Sequence, residues 1–289
     1  MEQILANGLY LGAQYALIAL GLTLIFSLMN VLNFAHGQMY VLGGFVTYTV
    51  VSQLGMPFIV GLLASAVTLA VVGGLIERYL FRTVIRRSHR EESTMLLAAG
   101  IAFFLDAVIL LAFGEKQRGV PKIINGVFNW DFRLIMPYDR ILIGALAIAL
   151  IAAFILFMQY STAGRAMRAL AQDRVAAQLM GVDVNRYSTL GFALGAMLAG
   201  LVGGLLVTIT GINLGMGGPT SIKAFMMIMI GGAGVISGAI AGGFILGMME
   251  SVGLTVLAAY GDITYLAIFV LLMVFLAFRP QGLMGKPWG

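Results

Sequence analysis

From Ile141 to Tyr160 the chain runs for 20 residues, ILIGALAIALIAAFILFMQY, without a charged side chain. That is the length a helix needs to cross a hydrocarbon core about 30 Å thick. Lipid offers the backbone no hydrogen bonds, so a spanning segment must satisfy its own N–H and C=O groups. The run is continuous rather than alternating, which selects a helix over a barrel strand. Similar runs cover Leu5–Met29, a second stretch to Leu54, a third to Phe81, Thr94–Phe113, Ser188–Thr210, a stretch ending at Val256, and Ile263–Phe278. With 61% hydrophobic and 10% charged residues, the chain has far too little charge for a soluble domain, where about 25% is usual. The expected fold is an all-α integral membrane protein with about eight full transmembrane helices plus one short broken or half helix. Residues 1–289 read as one membrane domain, with an outer loop at 115–140 and a polar central segment at 161–187.

The polar breaks within these runs are the functional leads. Asn30, Asn33, His36 and Gln38 form a knot between the first two spans, beside Gly37, Gly43 and Gly44. They read either as a turn closing the ends of a span or as part of a translocation pathway. Asp106 lies in the middle of the fourth span, where a lone carboxylate is expensive. It is either protonated or paired with another helix, or it is a substrate or proton site. Glu250 reads as a break or interfacial position. Gly211–Lys223, which contains Pro219, reads as a glycine-rich turn, and Ala224–Ile230 is too short to cross the core alone. It has the look of a half-helix broken at Gly231–Gly238. Gly234, Gly238 and Gly242 recur at spacing four, as do Gly243 and Gly247, and Gly200 and Gly204; such rows favour close helix packing.

Ser161–Tyr187 differs from everything around it. Read as one helix, it sets Met167, Ala171, Val175 and Leu179 in a row, with Leu170 alongside and Arg165, Arg168 and Gln172 on another face. Thr162 is placed to cap its start and Gly181 to end it. Such a helix either passes force to a soluble partner or rests on the lipid headgroups. Arg78–Arg90, the central segment and the C-terminal stretch together hold eleven of the 17 Lys and Arg residues. Positive charge stays cytoplasmic, so the central segment and C-terminus are expected there and the N-terminus outside, with the short piece acting as a crossing. The net charge of +5 therefore reads as topology rather than nucleic-acid binding.

Several chemistries find no support. The sequence has no G-x-x-x-x-G-K-[ST] for nucleotide phosphates, no G-x-S-x-G elbow and no cysteine. His36 and His89 stand apart from any metal-ligand pattern, so no metal site is expected. These residues therefore point away from catalysis by this chain.

ALIALGLTLIFSLMNVLNFAHGQMYVLGGF near the start, GRAMRALAQDRVAAQLMGVDVNRYSTLGFALGAMLAGLVGGL in the centre, MIMIGGAGVISGAIAGGFILGMME later and the closing FRPQGLMGK resemble the permease subunits of branched-chain amino acid ABC importers. Compact length favours the LivH-like type over the longer LivM-like one. The resemblance implies a bacterial inner-membrane protein working with a second, LivM-like permease subunit, two ATP-binding subunits and a periplasmic binding protein. ATP would be used by the partners, with no cofactor held by this chain. The ATPase-coupling positions would be Arg165, Arg168, Ala171, Asp173, Ala176, Gly181 and Val182. Two other classes stay open: an ion-coupled secondary transporter, for which only Asp106 and Glu250 offer coupling groups, and a related ABC permease for urea, amides or sugars.

Overall fold

The computed structural model describes residues 1–88, 90–130, 134–256 and 261–285; His89 and Lys286, read above from the sequence, lie outside them. In chain order the helices are α1 (Glu2–Met29), α2 (His36–Tyr48, continued by a π-helical turn to Gln53), and α3 (Phe58–Ile76, continued by a π-helical turn to Phe81). Next come α4 (Arg82–Arg87) and α5 (Glu91–Phe113). A two-stranded hairpin, β1 (Val127–Trp130) with β2 (Leu134–Pro137), precedes α6 (Tyr138–Tyr160). The chain then forms α7 (Thr162–Gln172), α8 (Arg174–Leu179), α9 (Val184–Leu206), α10 (Gly217–Gly231), α11 (Ile236–Val256) and α12 (Gly261–Phe278).

Among the described residues six helices are long and apolar enough to cross a membrane: α1, α3 with its extension through α4, α5, α6, α9 and α11. The expected count of eight full spans is not reproduced. The second expected span is the 13-residue α2 with its π-helical turn, and the apolar stretch described in α12 is Leu266–Phe278. The short piece is longer than its sequence suggests, 15 residues starting at Gly217 inside the expected turn.

α1 is the axis of the bundle. Every residue from Gly12 to Ile25 is buried, as expected of a helix that is apolar all round and enclosed by others. Contact at this closeness needs glycine. A Cβ on Gly243 or Gly247 of α11 would stand 2.4 Å from the backbone nitrogen of Ala16 or Gly12, and one on Gly203 of α9 would stand 1.9 Å from the Tyr40 carbonyl oxygen of α2. Gly238 and Gly242 face α10 instead, with virtual Cβ atoms 2.3 and 2.1 Å from the carbonyl oxygens of Gly231 and Met227. Gly234, the first member of that row, lies before α11 in the turn, at φ +80°.

The two ends of the bundle are distinct. The N-terminus sits by the hairpin, where the Ile135 N–H donates to Gln3 Oε1 at 2.9 Å. At the other end the C-terminal stretch folds under α10: the Leu283 and Met284 N–H groups donate to the carbonyls of Ile230 and Gly231 at 2.9 and 3.0 Å. These bonds occupy carbonyls that a broken helix would otherwise leave bare.

Candidate functional sites in the bundle interior and on its projecting face

α1 ends where Asn30 turns left-handed at φ 53°, and the chain climbs back into the bundle before α2 begins. The Asn33 side-chain oxygen accepts from the Ala35 N–H at 3.1 Å, and His36 Nε2 lies 3.1 Å from the Ile18 carbonyl oxygen, well inside α1. α2 therefore starts within the protein. α10 also starts there. The Gly37 N–H donates to Ser221 Oγ at 2.9 Å and that hydroxyl donates to the Phe34 carbonyl at 3.0 Å, fixing the two beginnings together. Irregular backbone at this depth is tolerated because protein, not lipid, surrounds it.

The structure divides the expected pathway residues. Asn33 and His36 are fully buried and hold the loop, and Asn30 is exposed at the turn. Gln38 and Asp106 meet: the Gln38 amide Nε2 donates to Asp106 Oδ2 at 3.5 Å, joining α2 to α5. The other two acceptors of this pair, Gln38 Oε1 and Asp106 Oδ1, are buried with no partner among the described residues.

Glu250 is not the interfacial residue its sequence position suggests. It is 4% exposed on α11 and takes Lys223 Nζ of α10 on both carboxylate oxygens, at 2.8 and 2.9 Å. The Tyr15 hydroxyl of α1 donates to the same carboxylate at 2.5 Å, and Lys223 Nζ donates to that hydroxyl at 2.7 Å. A second buried acid, Glu77 on the extension of α3, pairs with Arg82 at 2.8 Å and accepts from Thr189 of α9 at 2.5 Å. Among the described residues no group of three His, Cys, Asp or Glu side chains is placed to hold a metal.

On the opposite face from the hairpin, the central segment is two helices and not one. Asp173 breaks it: its backbone is extended, and its carboxylate accepts from the Val175 and Ala176 N–H groups at 2.9 Å, capping α8. Ser161 rather than Thr162 caps α7, accepting from Gly164 N–H at 2.8 Å. Gly181, at φ +85°, closes α8: the Val182 N–H donates to the Ala177 carbonyl and the Gly181 N–H to that of Gln178, both at 3.0 Å. The apolar row splits accordingly. Met167 and Leu170 are buried against the bundle, whereas Val175, Leu179 and Met180 are 69, 83 and 85% exposed at the tip.

Arg165, Arg168 and Ala171 are exposed on α7, Ala176 is exposed on α8, and Val182 is half-buried. Arg168 donates to the Gln159 carbonyl at 3.2 Å and lines a cavity of about 640 Å³ with Gln172, Ser27 and Ser237. Arg174 donates to the Leu28 carbonyl at 3.5 Å, so the segment also touches the end of α1.

These features define an all-α, multi-pass membrane protein, packed on glycine, with an amphipathic projection at one end of the bundle. The model of the branched-chain amino acid transport system / permease component family matches residues 4–277, and the chain belongs to that family. It is 33% identical to the high-affinity branched-chain amino acid transport system permease protein BraD of Pseudomonas aeruginosa, over 99% of this chain and 96% of that protein. It is 31% identical to LivH of Escherichia coli strain K12 over the same shares. A probable branched-chain amino acid transport permease protein LivH of Methanocaldococcus jannaschii is 29% identical, over 99% of this chain and 93% of its own length.

Proposed function

We propose that this chain is the transmembrane permease subunit of a binding-protein-dependent ABC importer for branched-chain amino acids in the bacterial inner membrane. A second, LivM-like permease completes the pathway, two ATPase subunits dock on Ser161–Tyr187, and a periplasmic binding protein delivers substrate at the hairpin end. The central-segment face is cytoplasmic and the N-terminus periplasmic. ATP is bound and spent by the partner subunits, and this chain carries out no catalysis.

The observation that carries the reading is the exposed apolar tip of Val175, Leu179 and Met180 in a chain of this family, on a segment that also exposes Arg165, Arg168 and Arg186. An exposed apolar cluster with charged neighbours suits a groove in a soluble partner, with the arginines fixing orientation. The linkage inward is physical. Met167 and Leu170 seat α7 on the bundle, Arg174 touches α1, and the Arg82–Glu77–Thr189 cluster ties the start of α9 to α3. Pressure on the tip is thereby shared among the helices that flank the Gln38–Asp106 pair.

Co-expression with the partner subunits tests this. Leu179→Asp should abolish co-purification and ATP-driven leucine uptake in proteoliposomes while leaving the membrane fold intact. Undiminished association in that variant, or leucine accumulation by this chain alone, would refute it.

A further inference from the structure

Among the described residues the Gln38–Asp106 pair has two unsatisfied acceptors and no ion-paired cationic side chain. Gln38 is 6% exposed, yet its Oε1 has no donor among the described residues, and neither has Asp106 Oδ1. Two ion pairs occur among the described residues, Arg82–Glu77 and Lys223–Glu250, and Asp106 is in neither. Its oxygen Oδ2 is held at 3.5 Å by the Gln38 amide nitrogen, which leaves the amide oxygen and Oδ1 as free acceptors on one linked pair. A buried amide oxygen without a donor is costly, and a mid-span carboxylate more so.

One side of the pair is bordered by glycine. Gln38 sits against the first residue of α10, where a Cβ on Gly217 would stand 2.8 Å from the amide nitrogen. The next residue, Gly218, is exposed and has nothing within 4 Å of where its Cβ would be. α2 thus joins α5 on one side and the start of α10 on the other at a buried polar spot, one residue from the exposed Gly218. Phe45 and Phe113, each seven residues further along α2 and α5, stack at 4.6 Å above it and close the hairpin side.

We infer that Gln38 Oε1 and Asp106 Oδ1 receive the ammonium group of an amino-acid substrate midway across the membrane. An ammonium has three donors and no acceptor, matching two open acceptors on a carboxylate and an amide. Aliphatic side chains need no such polar ligand, so the site is indifferent to which branched side chain passes. The inference rests on the importer reading above.

The test uses the complete importer in proteoliposomes and exploits the absence of cysteine from this chain. A Gly218→Cys subunit is labelled with a trimethylammonium-ethyl thiosulfonate and with its sulfonate counterpart. With each rate divided by that of the same reagent with free cysteine, the cationic reagent should be favoured about tenfold, as expected for a charge-assisted contact, and Asp106→Asn should erase that preference. Leucine with binding protein and ATP should slow labelling when Asp106 is present. In the otherwise cysteine-free chain, Asp106→Asn should lower leucine uptake about tenfold, with ATPase stimulation retained.

Equal labelling by both reagents would overturn the inference, as would uptake unchanged by Asp106→Asn. Lost uptake without leucine protection of the cysteine would also overturn it, pointing to a proton or a partner cation at Asp106. The labelling and protection arms are read with Asp106 intact, so they decide the matter even if the asparagine variant fails to assemble. A wild-type complex that takes up no leucine with ATP would sink the importer reading and this inference with it. Wild-type uptake with equal labelling sinks only the inference.

Discussion

Breaking the Lys223–Glu250 pair on one side only should destabilise the bundle more than removing it whole. Glu250 receives Nζ on both oxygens at 2.8 and 2.9 Å and the Tyr15 hydroxyl at 2.5 Å. In Lys223→Met the carboxylate loses its counter-charge; in Glu250→Leu the ammonium does. Orphaning one member of a buried pair costs about 3–5 kcal/mol. The Lys223 side chain keeps 23% exposure, so water softens the penalty for the ammonium, and about 3 kcal/mol is expected for Glu250→Leu. Lys223→Met, which strands a carboxylate 6% exposed, should fall at the upper end, about 4–5 kcal/mol. The double variant places apolar side chains where both charges stood and should match or exceed wild-type stability. Tyr15→Phe removes the hydrogen bond given to Glu250 and the one accepted from Lys223, and should cost at least about 1.5–3 kcal/mol. Reversible unfolding of the detergent-solubilised chain in rising SDS gives all four values. Singles that each cost less than about 1 kcal/mol, or a double variant less stable than either single, would show that the pair is not the buried, mutually dependent unit described.

Other perturbations separate positions that look alike in sequence. Gly203→Ala forces a Cβ to 1.9 Å from the Tyr40 carbonyl and should cost about 1–3 kcal/mol in the same unfolding assay. Gly100→Ala on α5, with nothing within 4 Å, should be neutral or gain up to about 1 kcal/mol. Asp173→Ala removes the carboxylate that caps α8 at 2.9 Å; its six residues should fray and ATPase co-purification should fall, with the melting temperature little changed. Single cysteines at Ala163 and Ile124 should react with impermeant reagent from opposite sides of the membrane.

Hydropathy carried the membrane class and most of the helix positions. α6 begins at Tyr138 against an expected Ile141 and both end at Tyr160, because an uninterrupted apolar run leaves little freedom. The central segment was legible as amphipathic and misread as continuous. Spacing four fits one long helix, but the Asp173 carboxylate offers the next turn's N–H groups a local partner and so restarts the helix. The acid before an apolar stretch was the available signal. Gln38 and Asp106 were each visible as polar groups among apolar ones. Their pairing was not, because the residues lie 68 positions apart and only the fold brings α2 beside α5.

The larger misreadings share one cause. Sequence marks a span by the change from polar to apolar at a membrane surface, and α2 and α10 do not start at a surface. α10 opens with glycines and Pro219, which read as a turn. Proline within the first helical turn removes an N–H that has no intrahelical partner there, so the helix forms regardless. Lys223 then falls within a helix rather than a loop, and its partner Glu250, 27 positions on, becomes interior instead of interfacial. A helix can begin in the interior only where neighbouring protein or water satisfies its first turn, as Ser221 does for Gly37. Such a place is also where a polar solute finds ligands without crossing lipid. Hydropathy therefore fails at α2 and α10 for the physical reason that makes the ground between them suitable for a pathway.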